Sequence, residues 1–510
     1  MSLYDLIALL PEFILTITGV VLMLMGAFQT PGAGRWCSTI ALAGLLGSTE
    51  ALIYGRRFPG LVFGGMFSVD PFGRYFSLLF FLIAALVVLA SVDYIRRERL
   101  PAGEYYALLL FATVGMVLMA SGNELILIFI GLEISSLSSY VLVGFRRDVP
   151  SSSEAALKYF LLGSFATAFF LYGIALLFGV TGSTRLTQIR SVLHGGEHPI
   201  TASTPAIGRL AEVAVRTVQL SWREAGFPTE LLGLAIALIF VGLAFKISAA
   251  PFQAWTPDVY QGAPTPVAAF LSTGPKAAAF AAFLRIFQYS LPASAEQWSL
   301  LLWASALLTM FIGNLAALWQ SNLKRLLAYS SIAHAGYMLV AFTAHSSDGV
   351  AAVLFYLAAY AFMNIGAFVV VSHLSGRGER HLELDDYAGL GYRSPALAAC
   401  LSIFLLSLIG IPLTGGFLGK FYVFRAALRA DLIWLTVFGV LNSAIASYYY
   451  LRILVSMYMQ TPESDAPVAR PGAATQGVLV MCTVATFLLG IFPQPVLRLV
   501  TRAARWFPTG

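Results

Sequence analysis

Apolar runs of about twenty residues, the length that crosses a bilayer as a helix, recur about fourteen times along this chain. They lie near 9–28, 36–54, 74–94, 104–121, 124–144, 156–179, 231–255, 264–289, 298–320, 325–344, 350–373, 395–428, 432–458 and 474–497. Lipid offers no partner to a backbone N–H or C=O, so runs of this kind fold as helices. They predict an all-α polytopic membrane protein. Composition agrees, with 58% of residues hydrophobic and 11% charged, against about 25% charged in soluble domains. No soluble domain fits between the runs, and residues 1–510 read as a single membrane domain.

Basic residues gather in alternate loops: Arg35; Arg96, Arg97 and Arg99; Arg146 and Arg147; Lys324 and Arg325; Arg377, Arg380 and Arg393. The opposite loops hold Arg56, Arg57, Arg429 and little else outside the long polar connection 181–230. An excess of Lys and Arg marks the cytoplasmic side. With an even number of spans, both termini then lie outside, although Arg498, Arg502 and Arg505 fit that less well. The net charge of +6 sits at loop ends and reads as membrane orientation, not as nucleic-acid binding. The N-terminal MSLYDLIALLPEF has no basic lead or small-residue cleavage site and reads as a retained span. Cys37, Cys400 and Cys482 stand far apart with no C-x-x-C pair, which argues against zinc and iron–sulfur ligation. The connection 181–230 is too polar to span, and its apolar spacing around 206–222 fits a helix lying on the surface. Segments 374–394 and 459–473 read as solvated loops.

Chemistry concentrates in residues 241–266, VGLAFKISAAPFQAWTPDVYQGAPTP. Lys246 falls inside an apolar run, where an ammonium costs roughly 2.5–3.5 kcal/mol on insertion scales and usually faces a partner or a wet cavity. Pro251 follows five residues later and removes a backbone donor, so the helix is expected to break beside the charge. The following TPDVYQGAP, with Asp258, reads as a rigid turn between half-spans. Residues 406–424, LSLIGIPLTGGFLGKFYVF, repeat the pattern with Pro412, glycines and Lys420. Two interrupted spans of this kind are the mark of a repeated transporter unit. The expected units are 104–289 and 298–458, preceded by N-terminal helices 1–103 and followed by a C-terminal helix in 474–510.

Other ionisable groups fall within spans. Glu133, in ILIFIGLEISSLSSYVLVG, needs a cation or a proton at that depth, and a lysine partner would couple the two titrations. Lys276 follows Pro275 near mid-span. Lys158 lies about one turn into its span and reads equally as a snorkelling side chain. His334 sits among Ser330, Ser331 and Tyr337, as either a hydrogen-bonded core histidine or a proton relay. A haem would need two facing histidines, and the other candidate, His373, lies at a helix end. No nucleotide-binding glycine loop and no nucleophile with its base is recognisable.

The stretches AFKISAAPFQAWTPDVYQGAPTPVAAFLSTGPKAAAF, GLEISSLSSYVLVGF, SSSEAALKYFLLGSFATAFFLYG and NLKRLLAYSSIAHAGYMLVAF closely resemble the family of subunit N of bacterial NADH-quinone oxidoreductase (respiratory complex I), which has counterparts in the mitochondrial and chloroplast enzymes. The resemblance implies an antiporter-like fold of fourteen core helices with two inverted five-helix repeats, each with a broken helix. It implies that Glu133 and Lys246 are the paired groups of one half-channel. Lys276 would be the connecting lysine, Lys420 the lysine of the exit half, and Lys158 a lysine flanking the first pair. A lysine at position 420, where subunit M has glutamate, favours subunit N; so does the lack of the long lateral helix of subunit L. The polar insertion around 200–230 departs from the family's shorter loop.

The resemblance further implies a proton-translocating subunit with no redox centre of its own, in which NAD, FMN, iron–sulfur clusters and quinone belong to other subunits. The implied partners are membrane subunits M, L, K, J, A and H together with lipid, and the implied location is the bacterial inner membrane. Two rivals differ in kind: a subunit of a multi-subunit sodium/proton antiporter, for which Glu133 leaves few buried carboxylates, and a scaffold in which the lysines are dispensable.

Overall fold

The computed structural model describes residues 3–28, 33–194, 229–461 and 468–507. Helices α1 (Leu3–Ala8), α2 (Leu10–Ala27) and α3 (Ala33–Gly55) lead to a hairpin of β1 (Gly60–Val62) and β2 (Phe67–Val69). Then follow α4 (Pro71–Glu98), α5 (Ala102–Ser121), α6 (Leu125–Val143), α7 (Pro150–Thr181) and α8 (Leu186–Leu193). After the 195–228 segment come α9 (Thr229–Ile247), α10 (Trp255–Gly262) and α11 (Thr265–Phe283), which continues as a π-helical turn, Leu284–Ser290. The chain closes with α12 (Ala295–Leu318), α13 (Leu323–Phe342), α14 (Ser347–Leu374), α15 (Leu390–Arg393), α16 (Pro395–Ile409), α17 (Gly415–Arg429), α18 (Ile433–Met459), α19 (Ala473–Ile491) and α20 (Gln494–Ala504).

Every apolar run in the sequence has become a helix or a broken pair. Among the described residues, eleven helices are long and apolar enough to cross a bilayer unaided. The remaining expected spans are α13 and α18, diluted by charged residues, serines and tyrosines, and the α16–α17 pair, whose two pieces are 15 residues each. The bundle is built around α11 and α14: the apolar windows of these two helices are 100% and 94% buried, against 28% in α2 and 33% in α19. α13 is equally enclosed. A helix hydrophobic all round belongs in a core, which explains α14. α11 is buried as completely although it carries Lys276 and Arg285.

Both expected breaks are present. Between α9 and α10, residues 248–254 leave helical geometry: Ser248 has φ +63°, and the Ala250–Pro251 peptide is cis. Between α16 and α17, Gly410 (φ +97°) and Leu413 (φ +72°) flank Pro412.

Four details differ from expectation. TPDVYQGAP is not a turn: Trp255–Gly262 is helical, because Pro257 falls in the first turn, where no intrahelical N–H is required. Residues 60–69 form a small antiparallel hairpin in which Val62 pairs with Phe67 across Gly64 and Gly65, both at positive φ, as a tight turn demands. The last run ends at Ile491, and Pro493 starts a separate helix α20. The 181–230 connection begins with helix α8, whose Leu186, Ile189 and Val192 are buried; the surface helix expected at 206–222 lies outside the described residues.

Among the described residues, the basic loops at 96–99, 146–147, 324–325 and 377–393 meet on one face. Arg97 donates to the carbonyls of Ser372 (2.9 Å) and His373 (3.4 Å), and the backbone N–H of Gly378 donates to Glu98 (3.0 Å). At the centre of this face Glu379 binds Arg146 and Lys324, each at 2.9 Å, and accepts from the backbone N–H (2.8 Å) and hydroxyl (2.6 Å) of Thr265. Four segments distant in sequence are tied to one carboxylate. Burial alone would raise the Glu379 pKa, but Lys324 beside it, the Thr265 hydrogen bonds and Arg146 outweigh that and bring it down to about 2.

Candidate functional site

The first break holds Lys246 at the last turn of α9. Its Nζ donates to the Tyr140 hydroxyl at 3.3 Å and lies over the rings of Tyr140 (5.2 Å), Tyr159 (5.3 Å) and Phe245 (5.7 Å). Tyr159 stacks in turn on Trp255 at 4.5 Å. Aromatic faces attract a desolvated ammonium, so this box holds the cation where lipid would not. Glu133 forms no ion pair within 4 Å among the described residues, but it lies within electrostatic reach of Lys246. It is half-buried, and one carboxyl oxygen has no hydrogen-bond partner. On α6, Glu133, Ser136 and Tyr140 recur at helical spacing, so Tyr140 stands on the Glu133 face against the lysine.

The backbone freed by this break is satisfied across the bundle. The Ala250 N–H donates to the Thr309 hydroxyl (2.8 Å), Ser305 donates to the Ala250 carbonyl (2.8 Å), and the Trp255 indole donates to the Phe245 carbonyl (3.0 Å). In the second break the lysine itself performs this task. Lys420 Nζ donates to the Ile409 carbonyl (2.8 Å) and to Ser443 (2.7 Å), with the Tyr337 ring 4.8 Å away. Lys420 also lines a cavity of about 550 Å³ on the flank of the bundle.

Between the breaks lie α11 and α13. Lys276 donates to the hydroxyl of Ser331 and to its carbonyl (2.9 Å). One helical step on, His334 Nδ1 is 2.6 Å from the Tyr356 hydroxyl and Nε2 is 3.2 Å from that of Tyr450, which also bonds Ser330. The His334 and Tyr337 rings are 5.7 Å apart, and Tyr337 leads to Lys420. The hydroxyls of Tyr260 and Tyr360 face Ser331 without closing a hydrogen bond. Ser248, Gln253 and Thr256, in and beside the first break, likewise each hold a buried polar atom with no protein partner. Buried polar groups left unpaired by protein are commonly satisfied by water. Lys246, Lys276, His334 and Lys420 are all at most 7% exposed.

Lys158 is not in this corridor. Its side chain is 44% exposed and bonds Glu154 (2.8 Å) and Asp258 (2.9 Å), while Arg325 takes the other Asp258 oxygen at 2.6 Å. It lines a cleft of about 290 Å³ that reaches Glu379. Sequence reading missed Tyr140, Glu379, Asp70 and Arg285. For Tyr140 the signal was present, in its helical spacing from Glu133. Among the described residues no three His, Cys, Asp or Glu gather as a metal site would require.

Two interrupted spans, each with a buried lysine at its break and joined by buried polar groups, define an antiporter-like membrane protein. Residues 122–446 match the family described as NADH:quinone oxidoreductase/Mrp antiporter, TM. NADH-quinone oxidoreductase subunit N 1 of Solibacter usitatus is 51% identical over 98% of this chain and 97% of its own length. Subunit N of Trichlorobacter lovleyi is 42% identical over 98% and 96%. A chain in the structure of respiratory complex I from Thermus thermophilus with bound aureothin superposes with a TM-score of 0.77 at 35% identity, covering 96% of this chain and 99% of that one. A chain of the Mrp complex from Dietzia sp. DQ12-45-1b shares the fold alone, with a TM-score of 0.82 at 20% identity over 99% and 98%. The chain belongs to the NADH-quinone oxidoreductase subunit N family.

Proposed function

We propose that this chain carries protons across the bacterial inner membrane as part of an NADH-quinone oxidoreductase, driven by electron transfer in partner subunits. The observation that carries this reading is the corridor of buried titratable groups running from Lys246 past Lys276 and His334 to Lys420, through two helix breaks. In the mechanism, Lys246 holds a proton in its aromatic box while the Glu133 charge stabilises it. Weakening that interaction releases the proton toward Lys276 and its partner Ser331, and the His334 imidazole with the Tyr356 and Tyr450 hydroxyls relays it to Lys420. Lys420 delivers it into the flank cavity. Each lysine alters the charge its neighbours feel, so occupancy at one site is coupled to the next. Lys158, paired with Asp258 in the solvent-side cleft, flanks the first break and adjusts the field there.

Residues 104–289 and 298–458 form the two repeat units, with the basic loops cytoplasmic and both termini outside. The flanks bind lipid and neighbouring membrane subunits of the M, L, K, J, A and H types. NAD, FMN, iron–sulfur clusters and quinone are bound by other subunits of the assembly. Sodium exchange would want several carboxylates in the corridor, whereas its deeply buried ionisable side chains are lysines and a histidine. The test is the assembled complex carrying Lys246→Ala in proteoliposomes. Proton uptake coupled to NADH oxidation is expected to fall severalfold; uptake equal to the unmodified complex would overturn the reading.

A further inference from the structure

At the end of the bundle away from Glu379, a second buried charge system lies outside the corridor. Arg285, in the π-helical turn that ends α11, is fully buried and binds Asp70 Oδ2 at 2.6 Å. It also donates to the Ala120 carbonyl and lies between the rings of Phe72 (5.1 Å) and Trp506 (4.8 Å). Asp70 is held further by the Ser68 hydroxyl (2.7 Å) and the Gly73 N–H (2.7 Å). Its charge is thereby matched and its oxygens occupied. Glu12, near the start of α2, has no counter-charge of this kind. It is 6% exposed, forms no ion pair within 4 Å among the described residues, and its Oε2 has no hydrogen bond.

Glu12 and Asp70 line the same small cavity of about 20 Å³, enough for one water molecule. The remaining polar groups of its lining are Arg74, Ser68 and Ser77 on the Asp70 side and Ser121 from α5, while α1 and α3 contribute apolar groups only. Arg74 turns its Nε to the Asp70 carbonyl at 3.3 Å. A carboxyl removed from water with no cation against it binds a proton or meets a water, and this cavity has room for one water molecule.

We propose that Glu12, across this cavity from the Asp70–Arg285 pair, is a proton-binding site that serves the Arg285 end of α11. Its ligand is a proton delivered by hydronium: the cavity hydronium breaks one O–H bond, Glu12 Oε2 forms one, and water remains; the reverse step returns the proton. Asp70, locked to Arg285, fixes the local charge. Arg285 stands nine residues beyond Lys276 on α11, about 14 Å along the axis, so the charge at Glu12 acts on the same helix that carries the central lysine. This link rests on the proton corridor described above, whereas protonation of Glu12 itself does not.

The test uses the complete complex in membranes, with Glu12→Gln and Glu12→Asp. Infrared difference spectra across a pH step are expected to contain a protonated-carboxyl band that shifts in D2O, disappears in E12Q and moves in E12D. Protons pumped per NADH oxidised are expected to fall severalfold in E12Q and less in E12D. A carboxyl band unchanged in E12Q, with pumping at the unmodified ratio, would overturn the proposal. Failure of the Lys246→Ala test leaves the band untouched and so is distinguishable. Should E12Q not assemble, the displaced band in E12D decides alone.

Discussion

An ammonium buried in a membrane protein must be held by whatever the fold places around it, and the three corridor lysines are held in three ways. Lys246 has aromatic faces and a phenol, Lys276 a serine hydroxyl and carbonyl, and Lys420 the open carbonyl of its own helix break. The lysines were legible because a charge inside an apolar run stands out. Two of their partners were not, because Ser331 and Ser443 are common residue types that gain meaning only after the chain folds, whereas Tyr140 was signalled by its spacing from Glu133. Gly163 offers a way to disturb one such partner without touching a charge. A Cβ there would lie 2.1 Å from the Tyr140 hydroxyl, so Gly163→Ala must push the phenol off Lys246. The variant is expected to assemble, with a cost of about 1–3 kcal/mol for overpacking, and to pump fewer protons per NADH; an unchanged ratio would show that Tyr140 is dispensable.

At the level of elements, the breaks were legible and the ties between segments were not. Proline beside a buried lysine announced both interruptions, whereas the helix Trp255–Gly262 was misread because its proline and glycine suggest a turn when their place in the first turn and at the end is unknown. The second break depends on Gly416, whose added Cβ would meet the Ser407 carbonyl at 1.9 Å. Backbone cannot step aside cheaply, so Gly416→Ala is expected to lower the yield of assembled complex; normal yield and melting temperature would contradict this. Glu379 ties the loop after α14 to α13, α11 and the α6–α7 loop. Glu379→Gln leaves Arg146 and Lys324 facing each other without their counter-charge, an expected loss of about 3–5 kcal/mol, read as a lower melting temperature at neutral pH. The folded pKa of about 2 lies below the ordinary 4.5. The stabilisation is therefore complete above about pH 4.5 and lost as pH falls toward 2, so the gap between variant and unmodified protein should close over that range. A gap independent of pH would contradict the electrostatic origin.

Across the whole molecule, hydropathy alone carried the span count, because lipid permits one backbone solution for such runs. It could not rank them. Nothing in composition says that α11, with two charged residues, is the most enclosed helix of the bundle, since burial of charge becomes tolerable only when partners on α4, α5 and α13 are supplied by distant segments. That central position places Lys276, bonded to Ser331, between the two breaks. The most direct measurement is the ratio of protons pumped to NADH oxidised in the assembled complex bearing Lys276→Met, an unbranched side chain one atom shorter that removes the charge. The ratio is expected to fall severalfold; a ratio equal to that of the unmodified complex, with full assembly, would contradict a proton corridor through the heart of this chain.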